Sequence, residues 1–199
     1  ECYKAGAKLV EMFWQCGEVS RLHYTYASPE TLGTVPTWEE ERAKEMAEQL
    51  PVRIFIESAD PDELSGVSPD VLSEVTRSRQ KVLKKYRDAI DGRHQWVIAA
   101  AAGVKWARKV FPDMSDDEAV ARLWDAILSC VYFTDGSDPV ELWKSHIADL
   151  EKKAKWLNEQ HFASLKYRSA NGTDFSVRLI PGAKWSAAGD NNHSNGAHY

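Results

Sequence analysis

Residues 52–100 limit the fold more tightly than any other part of this chain. Val52-Arg-Ile-Phe-Ile-Glu57 is rich in β-branched and aromatic side chains and lies between Pro51 and Asp60-Pro61, which predicts a strand. Ser68-Pro69 then supplies an N-cap and an N1 proline for a long helix. Its apolar stripe is Leu72, Val75, Val82, Tyr86 and Ile90, and Gly92 stops it. Residues 95–100 read as a further strand. Strand, helix and strand in alternation predict an α/β fold with a mostly parallel sheet flanked by helices.

The flanking sequence extends this pattern. Residues 1–6 read as a short helical stretch, and the apolar run 8–14 as a buried strand. Residues 18–28 suit a helix carrying Val19, Leu22 and Tyr26, followed by a loop with Pro29, Gly33 and Pro36. Thr37-Trp-Glu-Glu40 has the form of a capping box, in which the Thr oxygen accepts from the Glu40 amide and the Glu side chain reaches back. That helix runs to Leu50 and stops before Pro51. Another helix starts near Lys105. Ser115-Asp-Asp-Glu118 is a second capping box, opening a helix with a broad apolar face of Val120, Leu123, Trp124, Ile127, Leu128 and Val131. Asp138-Pro139 opens the last helix, whose narrow seam is Val140, Trp143, Ile147, Leu150, Ala154 and Leu157. Trp124 and Trp143 are read as core residues. Residues 163–169 and 173–180 alternate around Asn171-Gly172, a strong hairpin signal that begins something different from the α/β pattern.

Composition narrows the function classes. A hydrophobic fraction of 43% with eight tryptophans suits a packed core, while 28% charged residues suit a soluble protein. No apolar run approaches the roughly 20 residues of a membrane-spanning helix. A net charge of −5 gives no bulk attraction to nucleic acid. Cys2, Cys16 and Cys130 lie far apart without a Cys-x-x-Cys pair, which fits free thiols in a reducing compartment and not a zinc site. Glu1 stands where an initiator Met would, and the polar tail GDNNHSNGAHY ends without a closing element. The chain is therefore expected to be an internal piece of a longer protein.

Few residues point to chemistry. Six bases fall between Arg77 and Arg87, but the apolar stripe threads between them, so they read as a solvated helix face and not as phosphate contacts. His193 and His198 sit in an Asn/Gly-rich tail that gives a metal no rigid frame. His146 reads as a packing or surface residue beside Trp143, and His23, His94 and His161 lack partners at ligand spacing. Glu57, Ser58 and Asp60 follow a strand at the edge where open α/β sheets bind ligands. A turn closed by Asp60, starting a short helix at Pro61, explains them more simply. Asp116, Glu118 and Asp138 are accounted for by capping and the helix dipole. No Gly-x-Gly-x-x-Gly, phosphate loop, nucleophile elbow or His-Glu-x-x-His is present.

One collinear series of residues nevertheless resembles a known family. It comprises Trp106-Ala107, Val110-Phe111-Pro112, Leu123-Trp124-Asp125-Ala126-Ile127, Asp138-Pro139, Trp143, His146, Leu150, Leu157-Asn158, Phe162, Leu165, Gly172-Thr173-Asp174 and Trp185. Upstream, Tyr3-x-Ala5-Gly6-Ala7, Pro36-x-Trp38 and Asp60-Pro61 continue it. Together they are similar to the thermophilic metalloprotease-type metallo-aminopeptidases, the aminopeptidase T, aminopeptidase S and PepS group. The chain departs from the family at Ala102-Gly103, where Pro then Thr or Ser is usual, and at Ser169-Ala-Asn171, which replaces a glycine-rich run.

The resemblance implies an N-terminal fragment of a cytoplasmic, generally dimeric exopeptidase that removes N-terminal residues from peptides. It implies an N-terminally truncated α/β domain over 1–160, and over 161–199 the incomplete opening strands of a catalytic domain. The full-length enzyme would hold two divalent metal ions, zinc, cobalt or manganese. Its first ligand would lie in a Pro-Thr-Glu-Glu segment beyond Tyr199, so no catalytic, cofactor or metal residue is carried onto this chain. The fragment itself is expected to be inactive and to hold no metal. Peptide substrates and a second copy are the expected partners, with no nucleic acid and no membrane. The other reading left open is a stand-alone α/β binding or interaction module without peptidase activity.

Overall fold

The computed structural model describes residues 1–133, 136–187, 189 and 191–196. These form two compact units, residues 1–124 and 125–199, which divide within one helix.

The first unit is built around the βαβ element. Strand β1 (Arg53–Glu57) pairs in parallel with β2 (Trp96–Ala100), Arg53 opposite Trp96 and Glu57 opposite Ala100. Before β1 come α1 (Gly17–Tyr26), α2 (Pro29–Gly33) and α3 (Thr37–Gln49). Between the strands runs α4 (Pro69–Ile90). Pro69 at its first turn and Gly92 just beyond its end, at φ 65°, account for its limits. The apolar stripe of α4 faces inward, with Val75 and Ile90 buried. Close approach to α2 depends on Gly33, where an added Cβ would stand 2.9 Å from the Ser78 Cβ. After β2, α5 (Val104–Val110) packs through fully buried Ala107, and α6 (Asp116–Cys130) through Ala119 and Leu123.

Several expectations are corrected here. The run 8–14 is neither strand nor buried: Leu9, Met12, Phe13 and Trp14 are exposed and the segment pairs with nothing in the sheet. Its apolar side chains satisfied the pattern for a strand, but a strand exists only where a neighbour accepts its backbone. Residues 1–6 form turns and no helix. The loop read around Pro29 contains α2, capped by Ser28, whose hydroxyl accepts from the Thr31 amide at 3.1 Å. Trp124 and Trp143 are not core residues, being 40% and 39% exposed. The buried positions of their helices are Ala119 and Leu123 in the one and Ala154 in the other.

The second unit holds α7 (Pro139–Gln160) and an antiparallel hairpin, β3 (Ser164–Arg168) with β4 (Asp174–Arg178). Asp138 caps α7 by accepting from the Val140 amide, and its seam becomes buried towards Ala154. At the hairpin tip Gly172 takes φ 94°, and Asn171 Oδ1 accepts from the Thr173 amide. The tail that follows contains a buried side chain. Asn192 is 1% exposed, and its Oδ1 accepts from the amides of Ser194 and Asn195.

Candidate functional site at the carboxyl end of the parallel strands

The sheet topology brings the chain's chemistry-bearing residues closest together beyond the carboxyl ends of β1 and β2. Glu57, Ser58 and Asp60 leave β1, and Gly103 opens α5 after β2. Gly103 lies so close to Ser58 that a Cβ there would stand 2.6 Å from Ser58 Oγ and 2.7 Å from its carbonyl oxygen. Only a residue without a side chain lets the two strand ends approach this closely.

Lys105, in the first turn of α5, organises the charges. Its Nζ donates to Glu18 Oε1 at 2.6 Å and lies 3.5 Å from Asp60 Oδ2. Lys109, one turn further, pairs with Asp62 at 2.7 Å. The hydrogen bond from Lys105, helped by the Glu18 backbone amide and the Cys16 thiol, holds the Glu18 carboxyl down at about 2. Glu18 also raises the pKa of Lys105. Asp60 closes its turn by accepting from the Asp62 amide at 2.9 Å, and the segment after it stays a series of turns, not the short helix anticipated at Pro61. Each cation here is spent on a neighbouring carboxylate. The arrangement fixes the loops: Lys105 and Lys109 are held by Glu18, Asp60 and Asp62, while the Glu57 carboxylate has no ion-pair partner among the described residues.

The histidines are scattered. His94 Nδ1 lies 3.0 Å from the Ile90 carbonyl, at the end of α4. His161 occupies the left-handed position after α7, at φ 50°. His146 lies 3.3 Å from Tyr132 Oη and edge-on to Trp143, whose Nε1 donates to the Val131 carbonyl. Beside this cluster an open apolar depression of about 450 Å³ is lined by Val131, Phe133, Val140, Trp143 and Ile147, with Lys144 as its one charged wall. His193 lies in the tail turn, and His198 is outside the described residues. The described residues do not fit the divalent metals that the family resemblance implies. No three of their His, Cys, Asp or Glu side chains converge as a ligand set.

The basic run from Arg77 to Arg87 has a structural use that the sequence did not reveal. Arg79 donates to the carbonyls of Leu32 and Thr34 and pairs with Glu39. Lys85 and Tyr86 both reach Glu40, lowering its pKa. These contacts clamp α4 to α2 and α3. They also explain why Thr37-Trp-Glu-Glu40 does not close as a capping box: Glu40 is drawn to α4, and α3 starts after Pro36 without a side-chain cap. At Ser115 the Glu118 side chain does reach back, accepting from both the Ser115 amide and its hydroxyl.

Comparison with known proteins places the whole chain. The sequence pattern of the family described as thermophilic metalloprotease (M29) matches residues 1–199. Aminopeptidase AmpS of Bacillus subtilis is 35% identical over 193 residues, 96% of this chain and 47% of that protein. Aminopeptidase T of Thermus thermophilus is 30% identical over 186 residues, 93% of this chain and 45% of its own. The solved structure of wild-type AmpT from Thermus thermophilus superposes with a TM-score of 0.83 at 28% identity, over 99% of this chain and 48% of that one. The chain thus spans about half the length of the curated relatives it matches. It adopts the α/β fold of that structure, and it belongs to the thermophilic metalloprotease family (M29).

Proposed function

We propose that these residues form the N-terminal, non-catalytic portion of a metal-dependent aminopeptidase that removes N-terminal residues from peptides. One observation carries this reading: relatives named as aminopeptidases match nearly all of this chain with about half of their own length. The pairing of Lys105 with Glu18 and Asp60, and of Lys109 with Asp62, supports a structural use for the loops at the sheet edge. In this reading the hydrolytic centre, with two divalent ions of zinc, cobalt or manganese, is built from sequence outside 1–199. When bound, those ions would polarise the scissile carbonyl and activate water. The α/β portion would restrict access to the centre, and residues 161–199 would open the catalytic domain. The whole protein would act in the cytoplasm as a homodimer, without nucleic-acid or membrane partners. Engagement of Arg79 and Lys85 by α3 favours the first of these exclusions. Among the described residues, no helix is long and apolar enough to cross a membrane.

The test compares the 199-residue chain with the longer native reading frame on aminoacyl p-nitroanilides, each with added zinc, cobalt or manganese. Hydrolysis by the longer protein alone is expected. A micromolar metal site measured by calorimetry on the 199-residue chain, or hydrolysis by it, would overturn the reading. A longer frame inactive on all such substrates would favour the stand-alone binding module.

A further inference from the structure

The Asn171-Gly172 dipeptide does more than turn the hairpin between β3 and β4. A glycine after asparagine puts no Cβ in the way, so its amide nitrogen is well able to reach the asparagine's own side-chain carbonyl carbon. Gly172 takes φ 94°, and its amide donates to the Ser169 carbonyl at 3.2 Å. That length is the long end of the normal range, so the bond is a weak restraint.

The Asn171 side chain is held unequally at its two ends. Three donors converge on Oδ1: the Thr173 amide at 3.2 Å, the Thr173 hydroxyl at 2.8 Å and the Ser169 hydroxyl. Among the described residues nothing accepts from Nδ2. Each donor lies within two residues of Asn171, so the hairpin alone sets the arrangement. When a nucleophile adds to a carbonyl carbon, negative charge develops on the oxygen, and donors already aimed there stabilise it. Here they are aimed at the oxygen, and the nitrogen that would depart is free to take up a proton.

We propose that Asn171 is a self-modifying site, at which the hairpin converts its own side-chain amide to an acid. The Gly172 nitrogen, having lost its proton to base, bonds to Asn171 Cγ. The Cγ–Nδ2 bond breaks, Nδ2 takes a proton from water and leaves as ammonia, and a cyclic imide remains. Water then opens the imide. Opening at Cγ returns the ordinary main chain with aspartate at position 171. Opening at the Asn171 main-chain carbonyl leaves an isoaspartyl link that runs through the side-chain carbon. Nothing is oxidised or reduced, and water is the co-reactant consumed. The aspartate product keeps the same three donors on a carboxylate, a stronger acceptor, so the turn survives. The isoaspartyl product lengthens the chain at the tip and shifts Arg168 from its place opposite Asp174. Either product adds one negative charge to a chain whose net charge is −5.

Incubation of the folded 199-residue chain at mildly alkaline pH tests it, with conversion at each asparagine followed by peptide mapping and mass spectrometry. Asn195, which also precedes a glycine, is the internal reference. Ser169→Ala and Thr173→Val each remove one hydroxyl donor. Each is expected to slow conversion at position 171 by roughly two- to tenfold relative to Asn195, the rate equivalent of one exposed hydrogen bond. Thr173→Ser keeps the hydroxyl and should keep the native rate, which separates loss of the donor from disturbance of the hairpin. In urea, where the donors are dispersed, the variants should all convert alike. A native chain in which Asn171 stays an amide while Asn195 converts overturns the proposal. So does a rate unchanged or raised in Ser169→Ala and Thr173→Val, which would show that the donors hold the side chain away from attack. Equal slowing in Thr173→Ser and Thr173→Val overturns it as well.

Discussion

Lys105 Nζ lies 2.6 Å from Glu18 Oε1, tying the helix after the second strand to the first helix of the chain. The bond holds the Glu18 carboxyl at about 2, against an ordinary 4.5. A carboxyl depressed on folding contributes stability that is fully present above about pH 4.5 and is lost as pH falls towards 2. Lys105→Met should therefore lower the urea midpoint at pH 7, with the gap to the native chain narrowing below pH 4.5 and vanishing near pH 2. Both side chains are largely exposed, so the gap is small and shrinks further in high salt. A gap that is constant across the acid range would show that Lys105 acts through packing alone.

Arg79 should matter more than any other base in its run. It holds two backbone carbonyls of the α2 region and the Glu39 carboxylate in a partly buried position. Arg79→Ala is expected to destabilise by about 1–2 kcal/mol, and Arg77→Ala by no more than about 0.5 kcal/mol. Arg79→Lys should recover little, because a single ammonium cannot span the same acceptors. Chemical denaturation of the three variants decides the order.

Two glycines should respond oppositely to alanine. At Gly103 the new Cβ meets the Ser58 carbonyl, which is backbone, and a cost of roughly 1–3 kcal/mol is expected. Removing the Ser58 hydroxyl as well should not rescue it, since the carbonyl remains. At Gly17 the Cβ meets only the end of the Glu63 side chain, which can swing aside. Gly17→Ala should be close to neutral or mildly stabilising, because alanine restricts the unfolded chain. Thermal melts of both variants give the comparison.

Asn158 and Trp185 exchange two hydrogen bonds: the Asn158 amide donates to the Trp185 carbonyl at 2.9 Å, and its oxygen accepts from the Trp185 amide at 2.8 Å. Asn158→Ala should cost about 1–2 kcal/mol and speed exchange of the Trp185 amide. Asn158→Asp keeps the acceptor but sets a carboxylate against a carbonyl. Its loss should therefore be larger at pH 7 than at pH 3, where the protonated acid can donate again.

Where elements were legible in the sequence, a local rule was decisive. Ser68-Pro69 and Asp138-Pro139 marked helix starts because the N1 proline works with its own neighbours. The Asn171-Gly172 hairpin was legible for the same reason. Readings failed where a distant partner decided the matter. Nothing near Glu40 announces that Lys85 and Tyr86 will take its carboxylate from the expected cap. Residues 8–14 have a strand's composition, but composition cannot supply the neighbouring strand. Asn192 looked like part of a loose polar tail, yet its own amide oxygen gathers the following backbone into a turn and removes it from water. At the sheet edge Ser58 and Asp60 lie beyond the strand as expected, while Glu57 is its last residue, paired opposite Ala100. Lys105 and Glu18, which settle the local charge, lie too far away in sequence to have been associated with them.

The pairing of Arg53 with Trp96 has a consequence for the order in which the chain folds. The two strands are separated by all of α4, so their contact closes a long loop, and its entropy must be met before any ladder bond forms. Docking α4 on α2 and α3 through Arg79 and Lys85 shortens that loop in advance. During synthesis β1 emerges well before β2, and until β2 arrives the edge that will pair with it is free. The clamp on α4 therefore leaves a shorter loop to close once β2 has emerged.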